Sequence, residues 1–352
     1  MRTKLRHRSG LAALVLAVAL IAAACGGNDD EGGGSGSENL SGSIKISGSS
    51  TVEPITSLAA ERFREQNPNV NISVDGPGTG DGFELFCNGE TDISDASRAI
   101  DAEEVAACKA KNIEFIELQI GVDGLSVITS PQNSTVSGLN FADLYALFGP
   151  ESQGVKNWSD ASKLAAELGS KTKLPDAPLS VTAPGEESGT YDSFIELALA
   201  PEAEKRVEAK KITEEQAGAA RKDYQASPND NVIIEGIAGN PSSLGWVGFA
   251  FADQNKDKVK LLPIAKETGS DFVRPTAESI ADNSYPLSRP LFIYVNKAKV
   301  DANPALKAFI DYYVSDEGLQ NVTEADYVAV NDETKTKTRS TWDAKTVGTR
   351  QS

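Results

Sequence analysis

Three short stretches place glycine and hydroxyl residues directly ahead of helix-like patterns: Gly48-Ser49-Ser50-Thr51, Gly78-Thr79-Gly80-Asp81-Gly82 and Glu187-Ser188-Gly189-Thr190. Small residues let backbone amides come close to a ligand. The first turn of a helix adds unpaired N–H donors and about half a positive charge. Together these can hold an anion without lysine. Ser and Thr cap helices everywhere, so one such loop means little. Three of them at the ends of strand-like segments, in both halves of the chain, suggest an anion site built from these loops.

A fourth stretch, Asp92-Ile93-Ser94-Asp95-Ala96-Ser97-Arg98, supplies charge. Arg98 could form a charge-assisted fork with an oxyanion, and Ser97 adds a hydroxyl. Asp95 would repel an anion unless the ligand has a proton to donate. Hydrogen phosphate has one and sulfate at neutral pH does not, so an acceptor-only carboxylate would select phosphate. The spacing allows a second reading, in which Asp95 and Arg98 form a structural pair or cap a helix that starts at Asp101.

These residues need elements to hold them. Ser43–Ser47 alternates like a strand. Ile55, Leu58, Ala59 and Phe63 then fall at helical spacing up to Pro68, with Ser50 and Glu53 at capping-box distance. Val70–Val74 is a second strand, residues 91–94 a brief third, and Asp101 with Glu104 starts a capped helix reaching Lys111. Residues 114–130 are extended and apolar. A helix is expected at Phe141–Phe148, strands at 179–183, 244–251 and 259–264, and helices over 201–221, 232–238 and 304–314. Residues 285–295 form another extended run. Repeated strand–loop–helix units imply α/β architecture, with ligands at the carboxyl ends of parallel strands. The two extended runs read as crossings between two α/β lobes with a hinge and a central ligand cleft. Lobe 1 is expected to hold 43–122 plus 288–345, and lobe 2 to hold 123–287.

The N-terminus reads as an address. Arg2, Lys4, Arg6 and Arg8 precede an apolar run, Leu11–Ala24, too short to span a bilayer. This reads as a signal peptide over 1–24. Ala22-Ala23-Ala24-Cys25 resembles a lipobox, which makes Cys25 the lipidation site. Residues 25–42 then form a polar Gly/Ser-rich tether, so the only membrane contact expected is a lipid anchor. The 352-residue chain has a formal net charge of −17, and loss of the four leader cations makes the mature chain more acidic still. Such a surface excludes nucleic acid as partner. Cys87 and Cys108 are an even pair in an oxidising setting and are expected to be disulfide-bonded. The one histidine, His7, lies in the leader, so no zinc site, other cofactor or histidine-activated serine hydrolase is expected.

At this point the motifs resemble a known family. Gly-Ser-Ser-Thr-Val at 48–52, Gly-Thr-Gly-Asp-Gly at 78–82, Asp-Ile-Ser-Asp-Ala-Ser-Arg at 92–98, Ser-Gly-Thr at 188–190 and Pro-Leu-Ser-Arg-Pro-Leu-Phe-Ile-Tyr-Val at 286–295 are similar to the PstS phosphate-binding proteins, over about residues 43–330. The resemblance implies a type II periplasmic-binding-protein fold. It also implies a non-enzymatic, exported monomer that binds inorganic phosphate and delivers it to the permease subunits of an ABC importer. Phosphate would be held by Ser50, Thr51, Thr79, Asp95, Ser97, Arg98, Ser188, Gly189 and Thr190. Many relatives carry an Arg four residues before Ser-Gly-Thr, where Pro184 stands here. Arg98 is therefore the first choice for the guanidinium, and Arg221, read mainly as a surface residue, the second. The rival readings are a receptor for sulfate or arsenate, and a phosphate-ester hydrolase.

Overall fold

The computed structural model describes residues 40–350. The leader, Cys25 and the tether up to residue 39 lie outside the described residues. The first lobe is built on strands β1 (Gly42–Gly48), β2 (Val70–Asp75) and β3 (Ile93–Ala96), with β1 parallel to both neighbours. Strand β4 (Phe115–Thr129) runs through both lobes as one extended stretch. The second lobe adds β5 (Ser180–Ala183), β6 (Gln225–Ala226) and β7 (Ser243–Gly248), and β8 (Ser288–Asn296) returns to the first. The main sheet runs β2-β1-β3-β8-β4-β7-β5-β6. Near-continuous burial of β4 explains why most of it is apolar, since both faces are covered, with Glu117 and Asp123 as buried charged exceptions.

The helices that matter here are α1 (Glu53–Gln66), α2 (Thr79–Cys87), α3 (Ala102–Ala110), α4 (Phe141–Phe148), α5 (Gly189–Phe194) and α6 (Pro304–Tyr313). One apolar core gathers Ile44, Ile46, Ile55, Ile116, Ile293 and Phe309. A second gathers Leu125, Val127, Leu144, Phe148, Phe194 and Trp246. The two cores share β4, which feeds Ile116, Leu118 and Ile120 to one and Val122, Leu125 and Val127 to the other. This is a mixed α/β protein of the type II periplasmic-binding fold, with two lobes joined by the antiparallel β4 and β8.

Three local expectations change. The Ser50/Glu53 capping box does not form. The Ser49 carbonyl accepts from the Val52 and Glu53 amides (3.1 and 3.0 Å), and the Ser49 hydroxyl accepts from the Thr51 amide (3.2 Å). Gly48 sets this turn by approaching Asp95 so closely that a Cβ would lie 2.0 Å from its carbonyl oxygen. The strand expected at 244–251 stops at Gly248, and Phe249–Gln254 is helical. The helix expected over 201–221 is two pieces, Ala200–Glu208 and Glu214–Ala217, interrupted where Lys210 takes a left-handed φ of 57°.

Cys87 and Cys108 are disulfide-bonded and tie α2 to α3 across 21 residues. Closing a loop of that length removes unfolded-state entropy equivalent to about 3 kcal/mol. Reducing the bond is expected to lower the urea midpoint accordingly, and an unchanged midpoint in reductant would contradict this.

Candidate functional site

The parallel strands β1, β2 and β3 all end on the same edge of the first lobe, and the loops that follow pack on one another. The Gly78 amide donates to the Gly48 carbonyl (2.9 Å), and a Cβ on Gly76 would lie 3.0 Å from the Ser50 Cα. Thr79, at the start of α2, meets Ser97 beyond β3. Their hydroxyls lie 3.1 Å apart, and the Ser97 amide donates to Thr79 Oγ1 (3.2 Å). Ser50, Thr51, Thr79 and Ser97 are thus brought to one end of one lobe.

The second lobe presents Ser188-Gly189-Thr190 after β5 at the start of α5. Ser188 caps that helix, accepting from the Thr190 amide (3.2 Å). The two loops face each other. A Cβ on Gly189 would lie 3.7 Å from the Ser50 carbonyl oxygen. Ser50 Oγ donates to Asp192 Oδ2 (3.4 Å), and Thr51 Oγ1 lies 3.3 Å from Ser193 Oγ. Among the described residues, the Ser50 and Gly189 amides have no protein acceptor. Their N–H groups are thus free to donate beside the cleft hydroxyls.

Charge comes from a residue that the motifs did not single out. Arg289, at the start of β8, is paired in register with Asp123 at the centre of β4. Its Nε donates to Asp123 Oδ2 (3.2 Å), and its Nη2 donates to Ser193 Oγ (2.7 Å) and Thr51 Oγ1 (3.1 Å). Its Nη1 pairs with Glu196. The guanidinium therefore lies at the crossing, between hydroxyls from both lobes. Burial pulls its pKa down, but Asp123 and Glu196 more than offset this and the net shift is upward. It is a permanent cation in an otherwise acidic cleft.

The half-buried Asp192 is pushed to a higher pKa, first by desolvation and then by Glu196. Both causes make this carboxylate more basic than an ordinary aspartate, while the Ser50 hydroxyl and Arg289 oppose them.

Three expected charged residues do not join this cluster. Asp95 lies on the face of β3 that Ile93 also occupies, turned into the core beneath α1 and α6, and is fully buried. Among the described residues neither of its carboxyl oxygens has a hydrogen-bond partner. Desolvation, with Glu53 adding and Thr56 opposing, raises its pKa to about 8. Arg98 is exposed and forks onto Glu104 of α3 (2.8 and 2.7 Å), with its guanidinium 5.5 Å from the Phe83 ring. Arg221 is a correction of the surface reading. It is buried in the second lobe, where it donates to Asp223 (2.7 Å) and to the carbonyls of Leu147 and Val155 (3.4 and 2.7 Å).

The residues missed were Asp123, Asp192, Ser193, Glu196 and Arg289. Arg289 stood inside the quoted 286–295 motif, and Asp192 follows Ser188 by one helical turn, which puts both on one face. Those were the available signals. Nothing local marked Asp123.

A family model described as a PBP superfamily domain matches residues 33–317. The chain is 37% identical over 278 residues to the protein SphX of Synechococcus elongatus, covering 78% of this chain and 74% of that one. It is 34% identical over 321 residues to the phosphate-binding protein PstS of Staphylococcus aureus, covering 91% and 87%. Its structure superposes on that of a possible phosphate-binding protein from Planctomyces limnophilus with a TM-score of 0.77 and 33% identity, over 87% of this chain and 99% of the other. The chain belongs to the PBP superfamily and, within it, to the family of the PstS phosphate-binding proteins.

Proposed function

We propose that this protein captures inorganic phosphate in the cleft and passes it to an ABC-type importer. The observation that carries the reading is the buried Arg289, which bonds hydroxyls of both lobes at the ends of parallel strands. Thr51, Ser188, Thr190 and Ser193 supply hydroxyls, and the amides of Ser50 and Gly189 supply N–H donors. Thr79 and Ser97 form an outer pair that shapes the loop. Arg289 replaces Arg98 as the guanidinium. Such donors act locally, so a strongly acidic chain can still hold a dianion. The facing loops already touch, so entry requires the lobes to part about β4 and β8, a hinge motion of the kind used by binding proteins.

Asp192 takes the discriminating part that the motif reading assigned to Asp95. It lies at the cleft and accepts from Ser50, so it can accept a proton carried by the ligand. Sulfate would set acceptor against acceptor. Calorimetric titration with phosphate, sulfate and arsenate tests the reading. The wild type is expected to bind phosphate and reject sulfate by at least a hundredfold, and Asp192→Asn to narrow that gap by about tenfold. Equal binding of sulfate and phosphate by the wild type would contradict the reading.

Export, acylation at Cys25 and a tether that leads from it towards β1 fit such a role, since a receptor must stay near its permease. The tether expected over 25–42 ends earlier, because Leu40 packs on the first core and β1 starts at Gly42. No helix among the described residues is long and apolar enough to cross a membrane. The lobe limits 43–122 plus 288–345 and 123–287 put Asp123 and Arg289 at the two crossings, which suits a hinge that carries the ligand's cation.

A further inference from the structure

The guanidinium that the ligand would need is already engaged. Arg289 has five N–H donors, and four are committed: Nε to Asp123, both on Nη2 to Thr51 and Ser193, and one on Nη1 to Glu196. An oxyanion held by a two-donor fork must displace something. Asp123 is fixed by register on the adjacent strand, and its side chain is only 4% exposed. The Glu196 side chain is 57% exposed, so its carboxylate regains water when it leaves. It also stands in an unusual piece of backbone. Ile195–Leu199 is a π-turn between two α-helical segments, the kind of local irregularity that re-aims a side chain. The same carboxylate raises the pKa of Asp192, so it bears on the second cleft acid as well.

We propose that Glu196 is an internal counter-anion that occupies Arg289 in the ligand-free protein and competes with phosphate for it, setting the affinity of the site. This rests on the phosphate reading above and adds to it a residue that holds affinity down. In the unliganded state Glu196 also braces the second lobe against Arg289 at the crossing. Phosphate entry exchanges one anion for another on the same donor, and Glu196 swings to solvent.

The test is calorimetric titration of inorganic phosphate into the full chain and into Glu196→Ala and Glu196→Asp. The alanine variant is expected to bind about fivefold more tightly. The aspartate variant keeps the charge near the site but is one methylene too short to reach the guanidinium, so it is expected to tighten by at least twofold. Both variants should melt lower than wild type without phosphate and gain more from it. If alanine tightens binding while aspartate matches the wild type, only the field of the charge matters and the displacement is overturned. If both variants match a wild type that binds phosphate, the inference fails and the functional reading stands. A wild type that binds no phosphate sinks both.

Discussion

Replacing Arg289 with glutamine is expected to weaken phosphate binding by at least a hundredfold. The guanidinium is the cation that the structure places between Thr51 and Ser193, and its Nη2 bonds both hydroxyls. Truncating one partner of a buried, hydrogen-bonded charge pair typically costs about 2–5 kcal/mol. Here the loss would fall on the ligand and on Asp123, whose buried carboxylate would be left without its cation. That second effect could unfold the protein, so Arg289→Gln/Asp123→Asn, which removes both charges, serves as the folding control. Arg289→Lys keeps the charge but not the fork, and it should fall between wild type and glutamine. The contrast is Arg98→Ala. Arg98 is exposed and spends its fork on Glu104, so its removal should change phosphate affinity by less than about threefold, as expected of a surface pair. A near-wild-type dissociation constant for Arg289→Gln, or a large loss for Arg98→Ala, would move the guanidinium back to the sequence motif.

Asp95 is expected to make the protein less stable as pH rises from 5 to 8. Its folded pKa is raised to about 8 by desolvation, against about 3.9 in an unfolded chain. Between those values the folded state holds a proton that the unfolded state has released. The contribution of this group is therefore fully present below the unfolded value and is lost as pH climbs to the folded one, by up to about 1.4 kcal/mol per pH unit. Asp95→Asn imitates the protonated form and should remove most of that slope. Urea unfolding at pH 5, 6, 7 and 8 reads it directly, and parallel curves for wild type and variant would contradict it. Asp192 and Asp230 are raised by burial too, and their contributions carry the same sign.

Asp95, Arg98 and Arg289 show where sequence reading stops. The position of Ser50, Thr51, Thr79 and Ser188–Thr190 at strand ends was legible because hydroxyl-and-glycine loops interrupt clear alternation there. Helices at Phe141–Phe148 and near Pro304–Tyr313 were legible from spacing and flanking residues. Asp95 was not. The third strand was expected at 91–94, which left residue 95 in a loop, whereas it occupies Ile93–Ala96. A two-residue shift keeps every side chain on its face, so the error lies in where the strand ends: residue 95 belongs to the strand and faces the core, and is not part of a loop at the ligand. Arg98 was legible as a charge but not as a pair. Its partner Glu104 is the residue that closes the α3 capping box, a role that brings the carboxylate back along the chain. Arg289 was hidden by an apolar run, and its partners lie between 93 and 238 residues away. Only the β4–β8 register brings Asp123 beside it, and register between distant strands is not written in either one alone.

The most direct test is a crystal structure of the mature protein with inorganic phosphate. One tetrahedral ion is expected between the lobes, within hydrogen-bond distance of Thr51, the Ser188–Thr190 loop and Arg289, with Asp95 still enclosed beneath α1. An ion seated on Arg98, or no ion in the cleft at saturating phosphate, would contradict the account.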